Sequence, residues 1–279
     1  MKFAFKSIVV AAAFVAAGAA NAAIQTIDNV ASAGDQYVID ASSSGALTFS
    51  SLLRSALNTG KVEASTYGDA TGTIAGGVGT YSAITIGAPI KSISYDDVTG
   101  KVTRVITSGG ARQVAGFLDG VSFGGWVEVG ELDVRFNAAG TGAEIFGNVI
   151  GQNDAGVAVN FIGQKLFDVK GYTARVGGVN TTFAPVVGDT SFKVGTANTT
   201  LNGLAITADA FNAISTALDL DVLGASALQA AAANFGNINS VLSVSKLAVT
   251  PPVPEPSTYA LMGLGLVGIG FAARRRTAK

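Results

Sequence analysis

The groups able to do chemistry in this sequence are carboxylates, amides and aromatics, because histidine and cysteine are both absent. That absence excludes imidazole acid–base catalysis, a Ser-His-Asp triad, thiolate nucleophiles, disulfides and His- or Cys-ligated metal. Among the acids, Glu131 and Asp133 stand two residues apart, so a strand would place both on one face. With Glu128 they are the set to consider for a glycan hydrolase or lyase, whose two carboxylates stand about 5–9.5 Å apart, or for Ca²⁺. A solvated strand face is the commoner use of that spacing. Asp96 and Asp97 are adjacent, and in a turn such residues serve backbone hydrogen bonds. Asp219 and Asp221 lack the D-x-D-x-D-G loop of a calcium site, and Asn153-Asp154 reads as a hairpin turn. The single tryptophan, Trp126, is expected in the core, with a sugar-stacking face as the alternative. Tyr37, Tyr67, Tyr81, Tyr95 and Tyr172 form no readable stripe. No catalytic residue, no metal site and no cofactor is expected.

The elements that must position these residues read as mostly β. Residues 128–136 alternate apolar and polar, with a slip near Gly130 that predicts a bulge. Turn chemistry at 137–142 and 152–156 separates this strand from 144–150 and 157–162, an antiparallel meander. Residues 91–95 and 101–106 flank an Asx-rich turn and predict a hairpin. Further strands are expected at 83–86, 116–121, 167–169 and 173–176, and a last one at 238–249. Helices are few. Ser50 opens a segment with Leu53 and Leu57 on one face and Gly60 as its stop. Thr207 caps 208–218, where Phe211, Ile214 and Leu218 share a face, and Ala-rich 225–235 ends at Gly236. The fold class expected is mainly β, a β-sandwich-like antiparallel domain with a few short peripheral helices, with a β-solenoid as the alternative. The triplets Asn180-Thr181-Thr182 and Asn198-Thr199-Thr200 match N-x-[ST] and read as ordinary surface loops.

Composition frames this body. The 279 residues are 48% hydrophobic and only 13% charged, with 36 Gly and 6 Pro. The apolar fraction is that of a folded chain, and the low Pro count excludes a Pro-rich disordered one. Both ends read as separate parts. Lys2 and Lys6 precede an apolar run from Ile8 to about Ala17, followed by the box Ala20-Asn21-Ala22. This is the order of a secretory signal cleaved before Ala23. At the other end, four prolines in residues 251–256 form an extended spacer. Residues 259–273 are uncharged and mostly apolar, short for a membrane span, and Arg274-Arg275-Arg276 follows. The expected divisions are a signal at 1–22, a β-rich extracellular domain at 23–250, a Pro-rich spacer at 251–258, an apolar helix at 259–273 and a basic cytoplasmic tail at 274–279. Gly263, Gly265 and Gly268 match G-x-G-x-x-G, but a dinucleotide site needs a preceding strand and a βαβ unit. Without residues 1–22 and those after 256, the chain keeps 12 basic residues and all 19 acidic ones, a balance of −7. Such a body has no attraction to nucleic acid.

The run Val253-Pro254-Glu255-Pro256-Ser257-Thr258-Tyr259-Ala260-Leu261, the Gly-rich apolar stretch and the Arg cluster resemble the PEP-CTERM sorting signal. The resemblance covers residues 253–279. It implies recognition and removal of the tail by an exosortase-type sorting enzyme after transient passage through the inner membrane. It further implies a destination at the outer surface or in the extracellular matrix of a Gram-negative bacterium that makes exopolysaccharide. The sorting residues on that reading are Val253, Pro254, Glu255, Pro256, Arg274, Arg275 and Arg276. The function expected is a non-enzymatic structural or adhesive component of an exopolysaccharide or biofilm matrix. The alternatives are an exopolysaccharide-binding module and a carboxylate-dependent glycan-active enzyme.

Overall fold

The computed structural model describes residues 24–30, 37–96, 102–137, 142–176 and 196–246. The chain divides into two compact units, Met1–Lys246 and Leu247–Lys279, and every described residue lies in the first. Its elements run β1 (Ile24–Asp28), β2 (Tyr37–Ile39), β3 (Ser44–Phe49), α1 (Ser51–Thr59), β4 (Glu63–Tyr67), β5 (Thr71–Ala75) and β6 (Ala83–Asp96). Then follow β7 (Val102–Thr107), β8 (Gly110–Ala115), β9 (Gly125–Phe136), β10 (Ala143–Asn153) and β11 (Ala158–Val176). Last come β12 (Thr196–Ile206), α2 (Ala208–Ala217), α3 (Val222–Ala232) and β13 (Gly236–Lys246). The fold is mainly β, as expected: one large antiparallel sheet with short helices.

The pairings return on themselves. β6 pairs β3, β3 pairs β13, and β13, β12, β11, β10 and β9 follow in succession. β7 pairs both β9 and β6 and completes the circuit. Residues 83–87 of β6 pair β5, while residues 90–95 pair β7. Pro89 lies between these two stretches, where a residue without an N–H interrupts the ladder least. Ile84, Ile86, Ala88 and Ile90 alternate inward along β6 and are buried. They join a core built from Val127, Ile145, Val149, Leu166, Phe167, Leu201 and Leu204, with a satellite cluster of Ile27, Ile39, Ile93, Leu242 and Val244 beside Ile90.

Two points in sequence some 200 residues apart are tied where β2, β3 and β13 meet. The Ser43 hydroxyl donates to the Ser243 carbonyl at 3.0 Å and accepts from the Ser243 N–H at 2.9 Å. The Asp40 carboxylate accepts from the Ser243 hydroxyl at 2.6 Å and from the Ser245 hydroxyl. Those hydrogen bonds, Ser243 first, hold the Asp40 carboxyl below its usual range against the opposing effect of burial.

Helix ends follow local chemistry. Ser50 caps α1 by accepting from the Leu53 N–H, and Thr207 caps α2 by accepting from the Ala210 N–H. Asp221 caps α3, which therefore starts at Val222, earlier than the Ala-rich run predicts. Helix α2 packs close to the sheet because glycines lie beneath it. A Cβ at Gly125 would lie 2.2 Å from the Ala217 carbonyl, and one at Gly151 would lie 2.7 Å from the Ala217 Cβ.

Two sequence expectations change. The strands expected at 157–162, 167–169 and 173–176 are one strand, β11. Gly163, which falls just after the strand expected at 157–162, adopts φ +64 inside β11 and donates its N–H to the Asn148 side chain at 2.9 Å, so it is an irregularity and not an end. Residues 116–121 are not a strand but a turn closed by a Leu118–Ser122 bridge. The turn at 97–100 lies outside the described residues, but the hairpin register on either side of it is formed, with Ser94 opposite Arg104.

Gly125→Ala should destabilise the domain by on the order of 3 kcal/mol, because φ is +147 and the new methyl meets the Ala217 carbonyl. Gly156→Ala, at φ +86 in open space, should cost only about 1–2 kcal/mol. Equilibrium urea unfolding of both variants reads the difference.

Candidate functional site

The carboxylates nominated by the sequence occupy one stretch of β9, and the bulge expected there distributes them. Asp133 is opposite Phe146 and Gly130 is opposite Asn148, so Glu131 and Leu132 together face the single residue Gly147. Glu131 takes up the extra length at φ +49. It is clamped to Gly109 in both directions: its N–H donates to the Gly109 carbonyl at 3.1 Å, and its Oε1 accepts from the Gly109 N–H at 2.7 Å. Such a φ costs a non-glycine residue about 1–2 kcal/mol, which these two bonds offset.

The three acids go to separate partners. Glu128 accepts from Arg112 at 2.6 Å across the β8–β9 register. The Arg112 guanidinium lies 4.6 Å from the centre of the Trp126 ring. Trp126 is thus half-buried beneath a cation, neither the core residue expected nor a bare stacking platform. Tyr67 lies over a floor of glycines. A Cβ at Gly130 would lie 2.4 Å from its hydroxyl, and one at Gly110 would lie 2.9 Å from its ring. Burial, then the Glu131 and Glu128 charges, push the Tyr67 phenol up to about 12.

Asp133 belongs to a different cluster. It is buried and accepts from Arg104 Nε at 2.6 Å and from Arg135 Nη2 at 2.7 Å. Arg104 and Arg135 are directly opposite on β7 and β9, so the carboxylate relieves a like-charge pair. Arg135 also lies 3.9 Å from the Phe146 ring centre. Burial raises the Asp133 pKa, but the hydrogen bonds and charges of the two arginines bring it below the usual value. Each of Glu128, Glu131 and Asp133 is thus held by donors of its own.

The other sequence candidates take structural places. Asp221 is a helix cap, and Asp219 is a turn residue at φ +45 whose carbonyl accepts from the Phe123 N–H. Asn153 is buried and its Oδ1 closes the turn to the Val157 N–H at 2.8 Å, as a hairpin turn requires. Asp96 ends β6 opposite Ile24. Asn198-Thr199-Thr200 lies within β12 and not in a surface loop. No group of three acids that could hold a metal occurs among the described residues. Asp97, Asn180, the glycines at 263–268, the cleavage residues Ala20, Ala22 and Ala23, and all seven sorting residues lie outside the described residues.

The sequence reading missed a groove of about 380 Å³ between α2 and β11. Asp209, Asn212, Ala213 and Thr216 line it from α2 at helical spacing, and Val159, Asn160 and Phe161 line it from the strand. Residues 158–166 of β11 have strand partners only on the β10 side among the described residues, because β12 joins β11 from Phe167 onward. The polar face of α2 was readable from its spacing; the strand it would face was not. A second exposed feature is apolar: Phe117 and Phe123 stand 6.3 Å apart beside a turn that bonds Leu223, and Val222 and Leu223 are exposed with them.

Residues 252–276 match the PEP-CTERM protein-sorting motif, a span that takes in all seven sorting residues. No curated protein and no solved structure matches the chain. The motif supports an exported protein that is recognised by an exosortase and sorted to the cell envelope. No helix among the described residues is long and apolar enough to cross a membrane.

Asp133→Asn should lower stability by about 2 kcal/mol at neutral pH, the arginines being partly exposed. Because the folded pKa of Asp133 is lowered, this contribution is complete above the ordinary value of about 4 and is lost as pH falls through the folded value. The gap between wild type and variant should thus close in acid, read by urea midpoints against pH. Tyr67 has the opposite sign. Its contribution is complete below about 10 and is lost as pH rises toward about 12, so Tyr67→Phe should flatten the alkaline limb of the same profile.

Proposed function

We propose that this chain is a non-enzymatic structural or adhesive component of an exopolysaccharide matrix, released at the outer surface of a Gram-negative cell after its tail is removed. The sorting motif at 252–276 carries the reading. The composition agrees with it: a low-charge, Gly-rich β domain with an acidic balance binds neither nucleic acid nor anionic lipid by electrostatics. The fate of the nominated acids also favours it. Glu128 is paired with Arg112, Glu131 with the Gly109 N–H, and Asp133 with Arg104 and Arg135. Catalysis on a glycosidic bond asks for one protonated and one free carboxylate facing a shared substrate.

Intact mass of the protein recovered outside the cell tests the reading. The expected mass lacks residues 1–22 and the Arg274–276 cluster, and deletion of the host exosortase should leave the tail attached and the protein in the inner membrane. Tailed protein outside a competent host would overturn it. Hydrolysis of the host polysaccharide, abolished by Glu128→Gln or Glu131→Gln in a variant that keeps the wild-type melting temperature, would establish the enzymatic alternative instead.

A further inference from the structure

We propose that the groove between α2 and the open edge of β11 is a binding site for an uncharged pyranoside. It is a shallow, solvent-open groove of about 380 Å³, with room for a sugar ring laid against its face. The lining has the two components a sugar needs. Phe161, Val159 and Ala213 supply an apolar floor for the C–H face of the ring. Asp209, Asn212 and Thr216 supply a carboxylate acceptor, an amide and a hydroxyl along one face of α2.

The hydrogen-bonding capacity of those three side chains is unmatched. None of them has a hydrogen-bond or ion-pair partner among the described residues, and all three are exposed. Elsewhere on the molecule amides close backbone groups: Asn58 holds the Tyr81 N–H, Asn148 the Gly163 N–H and Asn237 the Gly203 N–H. Along the strand wall, residues 158–166 of β11 lack a second strand. Of the outward main-chain groups there, the Lys165 and Leu166 carbonyls accept from Thr207, and Val159, Asn160 and Phe161 form the strand wall of the groove.

The charge of the lining selects the class of ligand. It holds one carboxylate and no lysine or arginine. A uronate or phosphate would meet Asp209 with no counter-charge, whereas sugar hydroxyls donate to a carboxylate. The common glycosidase mechanisms use two carboxylates and the lining holds one, so the role inferred for the groove is binding. Gly163 interrupts the open edge at φ +64, so an added peptide strand would find a regular run of only residues 158–162, and the peptide probe below tests that occupant. The inference rests on the matrix reading only for the source of the sugar.

The test is saturation-transfer NMR and calorimetry on the exported protein. The probes are uncharged gluco-, galacto- and manno-oligosaccharides, an oligogalacturonate as the acidic comparison, and a β-strand-forming peptide. At least one uncharged probe should bind. Asp209→Asn, Asn212→Ala and Phe161→Leu should each weaken it by about tenfold. Glu144→Gln, in the exposed Lys165 ion pair, should leave binding unchanged. Asp209→Asn and Asn212→Ala are surface changes and should keep the wild-type melting temperature, so a loss of binding is not a loss of fold. Failure of every uncharged probe, binding that survives all three replacements, or preference for the galacturonate or the peptide would overturn the site. Localisation of Asp209→Asn separates the two readings: sorted normally but blind to sugar, it leaves the matrix role standing on other contacts.

Discussion

The fold depends on seating β13 between β3 and β12. Each of those strands has a row of N–H and C=O groups on that side which only residues 236–246 satisfy. The circuit of strands therefore cannot close from the front of the chain alone. The contacts that fix it, Ser43 to Ser243 and Asp40 to Ser243 and Ser245, join residues about 200 apart in sequence. Topologies of that contact order form slowly, because loop closure must precede the stabilising contacts. β13 is also the last described element before the segment that carries the sorting motif. Completion of the sheet and display of the address are thus adjacent in sequence.

A chain with so few charges places them with care. Asp133 sits between two opposed arginines, Glu128 draws Arg112 across Trp126, and Lys165 bridges Glu144 and Asp168. Arg104–Asp133, Arg112–Glu128 and Lys165–Glu144 cross neighbouring strands, while Arg135–Asp133 and Lys165–Asp168 lie within β9 and β11. Beside the β9 bulge the apolar alternation breaks, and there Glu131 and Asp133 take over from it. The acids that could be mistaken for catalytic machinery are in this sense parts of the sheet.

How much of this was legible follows from how local each signal is. Ser50 and Thr207 were readable as caps, because cap and apolar face lie within two turns of each other. The Gly130 slip was readable as a bulge because alternation over nine residues exposes one extra residue. Asp221 was weighed only with Asp219 as a cation candidate, and its role as a cap shows only once the helix it starts is seen. The strands expected at 157–162, 167–169 and 173–176 left gaps containing Gly163 and Gly171, yet β11 runs through both. β4, β5 and β8 are short or polar, and they gain their identity only from partners elsewhere in the chain. The groove was illegible for the same reason. Asp209, Asn212 and Thr216 mark a polar helix face, but Phe161 comes to it through topology and not through spacing.

The cation held over the lone indole has an optical consequence. With one tryptophan in the chain, indole emission, excited at wavelengths the tyrosines do not absorb, arises from a single point, the seam between β8 and β9. The guanidinium of Arg112 stands over that chromophore and is itself anchored by Glu128. The molecule therefore has a built-in lamp, whose colour follows the local field and whose brightness follows the integrity of one ion pair.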